Sequence, residues 1–261
     1  MKTFNSFNKF TNIAHFYTDR EGGVSLGNYS SYNLSPYSGD NSYHVSTNLN
    51  DLSKKLGVEP DRIIIPFQTH GTEIRKIDSS FFQLSMLEKS AYLNGVDALI
   101  TSTPKICIGI TTADCVPLLF YDTQKNVIAV AHAGWRGTCA QIAEKTVQSL
   151  VENYQSNPAD IFVTIGPSIS AEVYQVGKEV VECFENAGFD LSKIVQLKDE
   201  AFFLDLWKAN QLSLEKVGIL SQHIETAGIC TFTQHDKYFS ARRLGIKSGR
   251  MLTGIMLTKT K

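Results

Sequence analysis

Four apolar segments follow one another in the middle of the chain, and each is rich in β-branched or aromatic residues. They occupy residues 96–100, 106–111, 117–121 and 127–132. Because they are short, mostly apolar throughout and bounded by turn residues, they predict strands that are buried on both faces. Strands that follow strands, with helices between the groups, predict a mixed sheet with helices packed on it rather than a doubly wound parallel sheet.

Helices are predicted where the apolar residues recur at helical spacing. The first covers residues 138–153, where Thr138 and Gln141 have the form of a capping box. A second follows the predicted strand 161–165 and ends near Gly188, and a third begins after Asp205. Residues 254–258 are predicted to form a closing strand.

The composition limits the function classes that the chain can serve. With 261 residues, of which 43% are hydrophobic, it can bury a full core, and no Pro/Gly/Ser-rich linker divides it. The net charge is -1 without a run of like charges, so neither nucleic acid nor a membrane surface is expected as a partner. We find no signal peptide and no transmembrane segment, and we expect a cytoplasmic protein.

Five cysteines occur without a CxxC pair, and this argues against a disulfide framework or a zinc ribbon. We interpret Cys139, Cys183 and Cys230 as structural residues and Cys107 as a core residue. Cys115 differs from them because it follows Asp114 in a polar stretch that leaves a predicted strand.

Three short motifs place metal-binding side chains where an apolar segment meets a turn. His70 lies in QTHG, Cys115 in TADCVP and His132 in AHAGWRG. Two imidazoles and one thiolate suit a borderline-soft divalent ion, and three protein ligands leave a fourth position for water or substrate. The motifs therefore predict one catalytic metal centre. Their spacing matches no local metal-binding pattern, so the three residues meet only if the fold brings them together.

The segment after His132 is rich in glycine, which a purely structural histidine would not require. Gly134 and Gly137 allow the backbone to turn sharply and to approach a ligand. We also expect the amides of Gly137 and Thr138, at the start of the predicted helix, to face the site and to favour an anion there.

Seven motifs in the same order resemble the YfiH/laccase-domain family of purine nucleoside phosphorylases, whose members have also been labelled polyphenol oxidase and peptidoglycan editing factor. The motifs are GGVS at 22–25, QTHG at 68–71, VDALIT at 96–101, TADCVPLLFYD at 112–122, AHAGWRGT at 131–138, IGPSIS at 165–170 with Tyr174, and CTFTQHDKYFSARR at 230–243. The resemblance begins near residue 13, so we expect an N-terminal segment 1–12 and one catalytic domain over residues 13–261.

The resemblance implies a single three-layer α/β domain with mixed β-sheets and flanking helices, similar to the catalytic domain of cytotoxic necrotizing factors. It places the family's metal ligands on His70, Cys115 and His132 and implies zinc, with copper as a less favoured alternative. The implied activity is phosphorolysis of adenosine, inosine and S-methyl-5'-thioadenosine, together with adenosine deamination. Purine nucleosides and phosphate are then the expected partners, and the oligomeric state is left open.

Phosphorolysis requires a held phosphate and a polarised leaving base. Arg136 and Arg243 can offer bidentate contacts to phosphate, and with Gln68 they are the predicted substrate-binding residues. The predicted catalytic residues are Cys115, Asp114, Arg136 and Arg243. Asp114 is the candidate proton carrier, or alternatively a group that orients a histidine ligand.

Three other functions stay open. In the first, Cys115 is a nucleophile and His132 its base, and the protein hydrolyses an amide or a peptidoglycan precursor without metal. In the second, the protein stores metal or binds a partner, which the neighbouring Arg136 and Asp114 disfavour. The least favoured is copper-dependent phenol oxidation, because the chain has six histidines and no His-x-His pair.

Overall fold

The computed structural model describes residues 1–259, so the predicted domain end at 261 lies outside the described residues. The helices are α1 (Ser42–Leu56), α2 (Met86–Tyr92), α3 (Trp135–Cys139), α4 (Ile142–Tyr154), α5 (Lys178–Asn186), α6 (Leu191–Ile194), α7 (Leu206–Lys216) and α8 (Ala241–Leu244). The strands are β1 (Ile13–Tyr17), β2 (Ile63–Ile64), β3 (Glu73–Lys76), β4 (Val96–Thr101), β5 (Cys107–Thr112), β6 (Val116–Asp122), β7 (Val127–Ala133), β8 (Ile161–Ile165), β9 (Gln175–Val176), β10 (Val195–Lys198), β11 (Ala201–Leu204), β12 (Ile224–Thr226) and β13 (Met251–Leu257).

Two large mixed sheets form the centre of the fold. The six-stranded sheet has the order β12-β8-β6-β7-β4-β3, and the four-stranded sheet has the order β1-β13-β5-β2. Parallel pairs occur at β12/β8, β3/β4 and β2/β5, and the other neighbours are antiparallel. A small sheet of β10, β11 and β9 completes the set. The predicted α/β class with mixed sheets is confirmed.

The two large sheets pack face to face through an apolar core. Leu99, Leu119 and Val130 of the six-stranded sheet share one buried cluster with Ile108 and Ile255 of the four-stranded sheet. Because helices cover the outer face of the six-stranded sheet and α1 packs on the four-stranded sheet, every residue of β4, β5, β6 and β7 is buried. This double coverage explains the four mostly apolar segments, whose predicted strand positions are confirmed within one or two residues.

Helices cover the outer face of each large sheet. α4, α5 and α7 pack on the six-stranded sheet through residues such as Val147, Phe184 and Leu214. On the far side, Leu52 of α1 packs with Phe16 and Leu252 of the four-stranded sheet. The central β-layer of the fold is therefore double, with helices on both sides.

The predicted helix 138–153 is two helices, which corrects the predicted start. Gln141 has a left-handed φ of 63°, and this separates α3 from α4. The capping box is absent because the Thr138 hydroxyl donates to the carbonyl of Ala133 and accepts from Asn210 of α7. The Thr138 amide also donates within the turn, to Gly134, so it does not face an anion.

Cys139 of α3 and Cys183 of α5 form a disulfide, a bond that the prediction against a disulfide framework did not anticipate. The two residues are 44 positions apart in the sequence and meet because α3 and α5 lie side by side. The prediction failed because neither residue carries a local spacing signal. Cys107, Cys115 and Cys230 are free thiols.

The N-terminal segment 1–12 packs against the rest of the chain. Phe4 and Phe7 are buried in the core between the two sheets, and Lys2 pairs with Tyr17 of β1. The boundary at residue 13 stays a prediction. Among residues 1–259, no helix is long and apolar enough to cross a membrane.

Candidate metal centre

His70, Cys115 and His132 lie together, as the sequence predicts. One ligand atom from each lies within 4.8 Å of the other two, so a single ion can contact all three. His70 lies in the turn after β2, Cys115 in the turn between β5 and β6, and His132 is the penultimate residue of β7. The three ligands therefore come from both large sheets, at the place where those sheets meet.

The turn that carries His70 is held by one buried carboxylate. Asp97 of β4 accepts hydrogen bonds from the amides of Thr69, His70 and Gly71, at 3.2, 3.0 and 2.7 Å. These bonds stabilise the turn although His70 has a left-handed φ of 64°, a conformation that costs energy for a residue with a side chain.

Asp97 also orients the second histidine. Its Oδ1 lies 2.8 Å from Nδ1 of His132, and this contact leaves Nε2 of His132 available as a ligand. Burial opposes the charge on Asp97, but hydrogen bonds from His132 and from the amides of Gly71 and Thr69 hold its pKa below the ordinary value. A single anionic side chain therefore positions two of the three ligands.

The absence of a side chain at residue 134 makes room for the ligands. A Cβ on Gly134 would lie 2.9 Å from Sγ of Cys115 and 3.1 Å from Cδ2 of His70, both closer than normal contacts. The predicted close approach of the backbone to the site is thus present at Gly134. This glycine fits a site in which the thiol and the imidazole must stay in place.

Cys115 and His132 form a coupled pair. Burial alone would raise the pKa of Cys115, but the charge of His132 and hydrogen bonds from His132 and His70 lower it to about 6. Cys115 and Asp97 in turn raise the pKa of His132 to about 9, against the effect of burial. The pocket therefore stabilises a thiolate, which is the form of cysteine that binds metals.

The cluster opens into a cavity of about 420 Å³, a size typical of small-molecule sites. Two arginines line it, Arg136 and Arg250. The guanidinium of Arg136 lies 4.1 Å from the ring centre of Trp135, and the guanidinium of Arg250 donates to the carbonyls of Ile246, Ser248 and Gly249. The cavity therefore combines a candidate metal site with two cations.

Arg243, the other predicted phosphate ligand, is exposed and lies at a different place. Its Nε donates to the carbonyl of Phe232, and its guanidinium lies 4.1 Å from the centre of that ring. Arg243 is not among the residues that line the cavity. Its role in phosphate binding stays a prediction, and Arg250 is the arginine that sequence reasoning missed.

Asp114 and Gln68 make contacts that hold the site together. Asp114 has a φ of 83°, and its carboxylate accepts from the hydroxyls of Thr231 and Ser240 and from the amide of Arg242. These bonds favour a positioning role over proton transfer, and the predicted catalytic role stays untested.

Gln68 lines the cavity, but its side-chain amide is paired with Thr111 of β5. Its Nε2 donates to the carbonyl of Thr111, and its Oε1 accepts from the amide and the hydroxyl of the same residue. This pairing attaches the His70 turn to the four-stranded sheet. Substrate binding by Gln68 stays a prediction.

Sequence reasoning also missed Asp97, which contacts both the His70 turn and His132. Its signal was available, because Asp97 is the one charged residue in the apolar segment VDALIT and is fully buried. A charge inside a buried strand requires a partner, and that requirement indicates a functional or structural network.

The fold and the site together define a class of α/β proteins in which turns from two packed mixed sheets build one His-Cys-His centre. A family model described as multi-copper polyphenol oxidoreductase laccase matches residues 14–258. The chain belongs to this YfiH/laccase-domain family, and the resemblance seen in the motifs is confirmed.

Relatives of the chain carry names of nucleoside enzymes. A protein of Bacteroides thetaiotaomicron named purine nucleoside phosphorylase is 44% identical over 261 residues, which cover 99% of this chain and 97% of the relative. A protein of an unknown prokaryotic organism named adenosine deaminase RL5 is 42% identical over 231 residues, with 87% of each chain covered.

Solved structures agree with the fold. The crystal structure of the Bacillus licheniformis hypothetical protein YfiH has a TM-score of 0.89 at 29% identity, with 96% of this chain and 94% of the other covered. YlmD from Geobacillus stearothermophilus has the same TM-score at 30% identity, with 96% and 93% covered.

Proposed function

We propose that this protein is a zinc-dependent purine nucleoside phosphorylase that cleaves adenosine, inosine and S-methyl-5'-thioadenosine, with adenosine deaminase activity. The observation that carries the proposal is the His70, Cys115 and His132 cluster, which opens into a cavity lined by Arg136. The names of the relatives support the substrate class and both reactions.

The donor set fits zinc. One thiolate and two imidazoles are common zinc ligands, and three protein ligands leave one position for a reactant. When bound, zinc would supply a Lewis acid that polarises a substrate atom or activates water. Copper is less favoured: the two histidines of the cluster are too few for several copper ions, although the family description names that metal.

The protein's own residues would position the reactants. Arg136 lines the cavity and can hold phosphate by a charge-assisted, bidentate contact, and the positive charge of Arg250 adds to the field there. Asp97 would keep Nε2 of His132 directed to the cluster, and Asp114 would hold the Cys115 turn against the segment 231–242.

Product analysis with and without phosphate tests the activity. We expect inosine to give hypoxanthine and ribose 1-phosphate, with a rate that saturates in phosphate, and adenosine also to give inosine without phosphate. Purified protein should contain about one zinc per chain, and His70→Ala should lose both zinc and activity. Free ribose as the product would contradict phosphorolysis.

The two exposed arginines allow a matched comparison. Arg136→Ala should reduce transition-state stabilisation in phosphorolysis by about 2 to 4 kcal/mol, because a charge-assisted contact at the reacting centre is lost. The loss should appear in the dependence of the rate on phosphate. Deamination should fall less, since water replaces phosphate there. Arg243→Ala tests the other predicted phosphate ligand: an equal loss would support Arg243 in that role, and an unchanged phosphate dependence would leave Arg136 as the ligand.

A metal-free cysteine hydrolase acting on an amide or a peptidoglycan precursor is the second candidate. The coupled pKa values of Cys115 and His132 favour it, because a thiolate beside an imidazolium is also the resting state of cysteine hydrolases. Full activity after removal of all metal would support this alternative, and Cys115→Ser should abolish activity in either case while the fold is kept.

A further inference from the structure

Two aromatic side chains line the cavity and are exposed although both are large. Tyr37 is 45% exposed and Phe67 is 40% exposed. Their ring centres are 5.1 Å apart with an angle of 73° between the planes, which is a stable edge-to-face pair. The cavity therefore has an aromatic wall in addition to its candidate metal ligands and cations.

Hydrogen bonds hold the hydroxyl of Tyr37 and the backbone of Phe67 in place. The Tyr37 hydroxyl donates to the carbonyl of Ile65 at 3.4 Å. Phe67 donates its amide to Leu93 and accepts at its carbonyl from Gly95, both at 2.9 Å. Phe67 also lies in the segment that carries His70, three residues before that ligand. An exposed but anchored aromatic surface can bind a flat ligand at little entropic cost.

The loop of Tyr37 is connected to the cationic part of the cavity. Asn33 is fully buried, and its Oδ1 accepts from the amides of Ser35 and Arg250. Its Nδ2 donates to Ser38, which also lines the cavity. This one side chain therefore fixes the aromatic loop relative to Arg250.

One residue of the cavity lining has a buried hydroxyl without a hydrogen-bond partner within residues 1–259. Thr112 at the end of β5 is 2% exposed, and its hydroxyl has no hydrogen-bond partner among the described residues. A buried hydroxyl without a partner is costly. Arg136 and Arg250 add two cations to the same cavity lining. The cavity thus suits a molecule with a flat aromatic part and polar groups.

We infer that Tyr37 and Phe67 form the binding surface for the purine base. This inference rests on the proposed function, because a nucleoside combines a flat base with a polar sugar and the reaction adds a phosphate. Purine rings stack well on aromatic side chains regardless of their ring substituents. The base would then lie on the aromatic wall, and the sugar and phosphate would lie toward the cluster and Arg136.

Steady-state kinetics provide the first test. Phe67→Ala and Tyr37→Ala should each raise KM for inosine about tenfold with kcat changed less than about twofold, since stacking is present in ground state and transition state alike. Phe67→Tyr should restore KM because it keeps the ring. Tyr43→Ala removes a 73% exposed aromatic residue of α1 and is the control, with KM unchanged.

Direct binding separates this inference from the proposed function. Calorimetry should show that Phe67→Ala and Tyr37→Ala weaken the affinity for free hypoxanthine about tenfold and leave that for ribose 1-phosphate unchanged. Unchanged affinity for hypoxanthine, or equal loss for both ligands, would overturn the inference. If the wild type turned over no nucleoside, the proposed function would fail, while selective loss of base binding in the variants would still support the aromatic surface.

Discussion

Asp97 positions two ligands at once, so its replacement is a sharp test of the metal centre. Asp97→Asn keeps the shape but places an amide nitrogen against the donors of the His70 turn or of His132. We expect a 10- to 100-fold loss of metal affinity, which is typical when a group behind a metal ligand is changed. Competition with a zinc chelator measures it.

Asp122 provides the matched control for that substitution. It is also a fully buried aspartate at the end of a strand, and it accepts from two backbone amides in the turn after β6. Asp122→Asn should affect stability but leave metal affinity unchanged. Equal loss of metal in both variants would mean that any buried charge change disturbs the centre.

The titration of a single residue, His15, should make the stability depend on pH, because burial lowers its pKa from 6.5 to about 4. In the unfolded chain His15 is therefore protonated below about pH 6.5, whereas in the folded protein it stays neutral down to about pH 4. The contribution of neutral His15 to the free energy of unfolding is fully present above pH 6.5. It falls by about 2 to 3 kcal/mol as the pH drops from 6.5 to 4. Urea unfolding between pH 7 and pH 4 measures the fall.

The variant His15→Gln should show a smaller fall over the same pH range, because it removes the titrating group. Carboxylates contribute to acid unfolding in both proteins, so the difference between the two slopes isolates His15. Parallel curves would show that the histidine does not control this pH dependence.

At the scale of elements, the disulfide between α3 and α5 restrains the helix that follows His132. A cross-link between residues 44 positions apart stabilises a protein by about 4 kcal/mol in the chain-entropy view, and commonly by 2 to 4 kcal/mol. Cys139→Ser should therefore lower the free energy of unfolding by that amount under non-reducing conditions. Denaturant titration with and without a dithiol reductant measures it.

The double variant is the control for the disulfide. Cys183→Ser combined with Cys139→Ser should lose no more stability than either single change, because one bond is removed in each case. A reductant should lower the stability of the wild type alone. If the wild type were equally stable in both conditions, the bond would not form in solution.

The elements show why part of the fold could be predicted from the sequence. The strands from β4 to β7 are buried on both faces, so their apolar composition identified them. The break at Gln141 could not be predicted, because it comes from a left-handed backbone at a residue other than glycine, and Thr138 contacts Asn210 of α7 in place of the predicted cap. The position of Tyr37 could not be predicted either. Its loop has no periodic pattern and is held by the hydrogen bonds of Asn33 with Ser35 and Arg250.

The metal ligands could be predicted for a different reason. Histidine and cysteine at strand ends near glycines are chemically distinctive, so His70, Cys115 and His132 could be identified individually. Their 4.8 Å cluster depends on how the two sheets pack, which no local pattern encodes. The sequence places Arg243 near a motif without giving the direction of its side chain, so the position of Arg243 outside the cavity lining could not be predicted.

At the scale of the whole molecule, an ion at this centre would join the two large sheets. Its removal should therefore lower stability, by about 3 to 4 kcal/mol when the metal is present at 100 to 1,000 times its dissociation constant. For a protein of this size that corresponds to about 10 °C in Tm. Thermal unfolding before and after chelation measures the change.

Metal-free His70→Ala is the control, because a chelator has nothing to remove from it and its Tm should stay constant. A large shift in that variant would show that the chelator acts on the protein itself. An unchanged Tm in the wild type would show that the ion contributes chemistry without joining the sheets.

The position of β13 has a consequence for how the protein is made. This strand lies between β1 and β5, although both are synthesised long before it. Until the ribosome has released β13, the early strand β1 has no neighbour in the sheet, and β5 lacks one of its two. The segment 231–242 that anchors Asp114 also arrives late. A nascent chain therefore holds all three metal ligands for some time before its fold can present them, and its unpaired strand edges can pair with other chains until synthesis is complete.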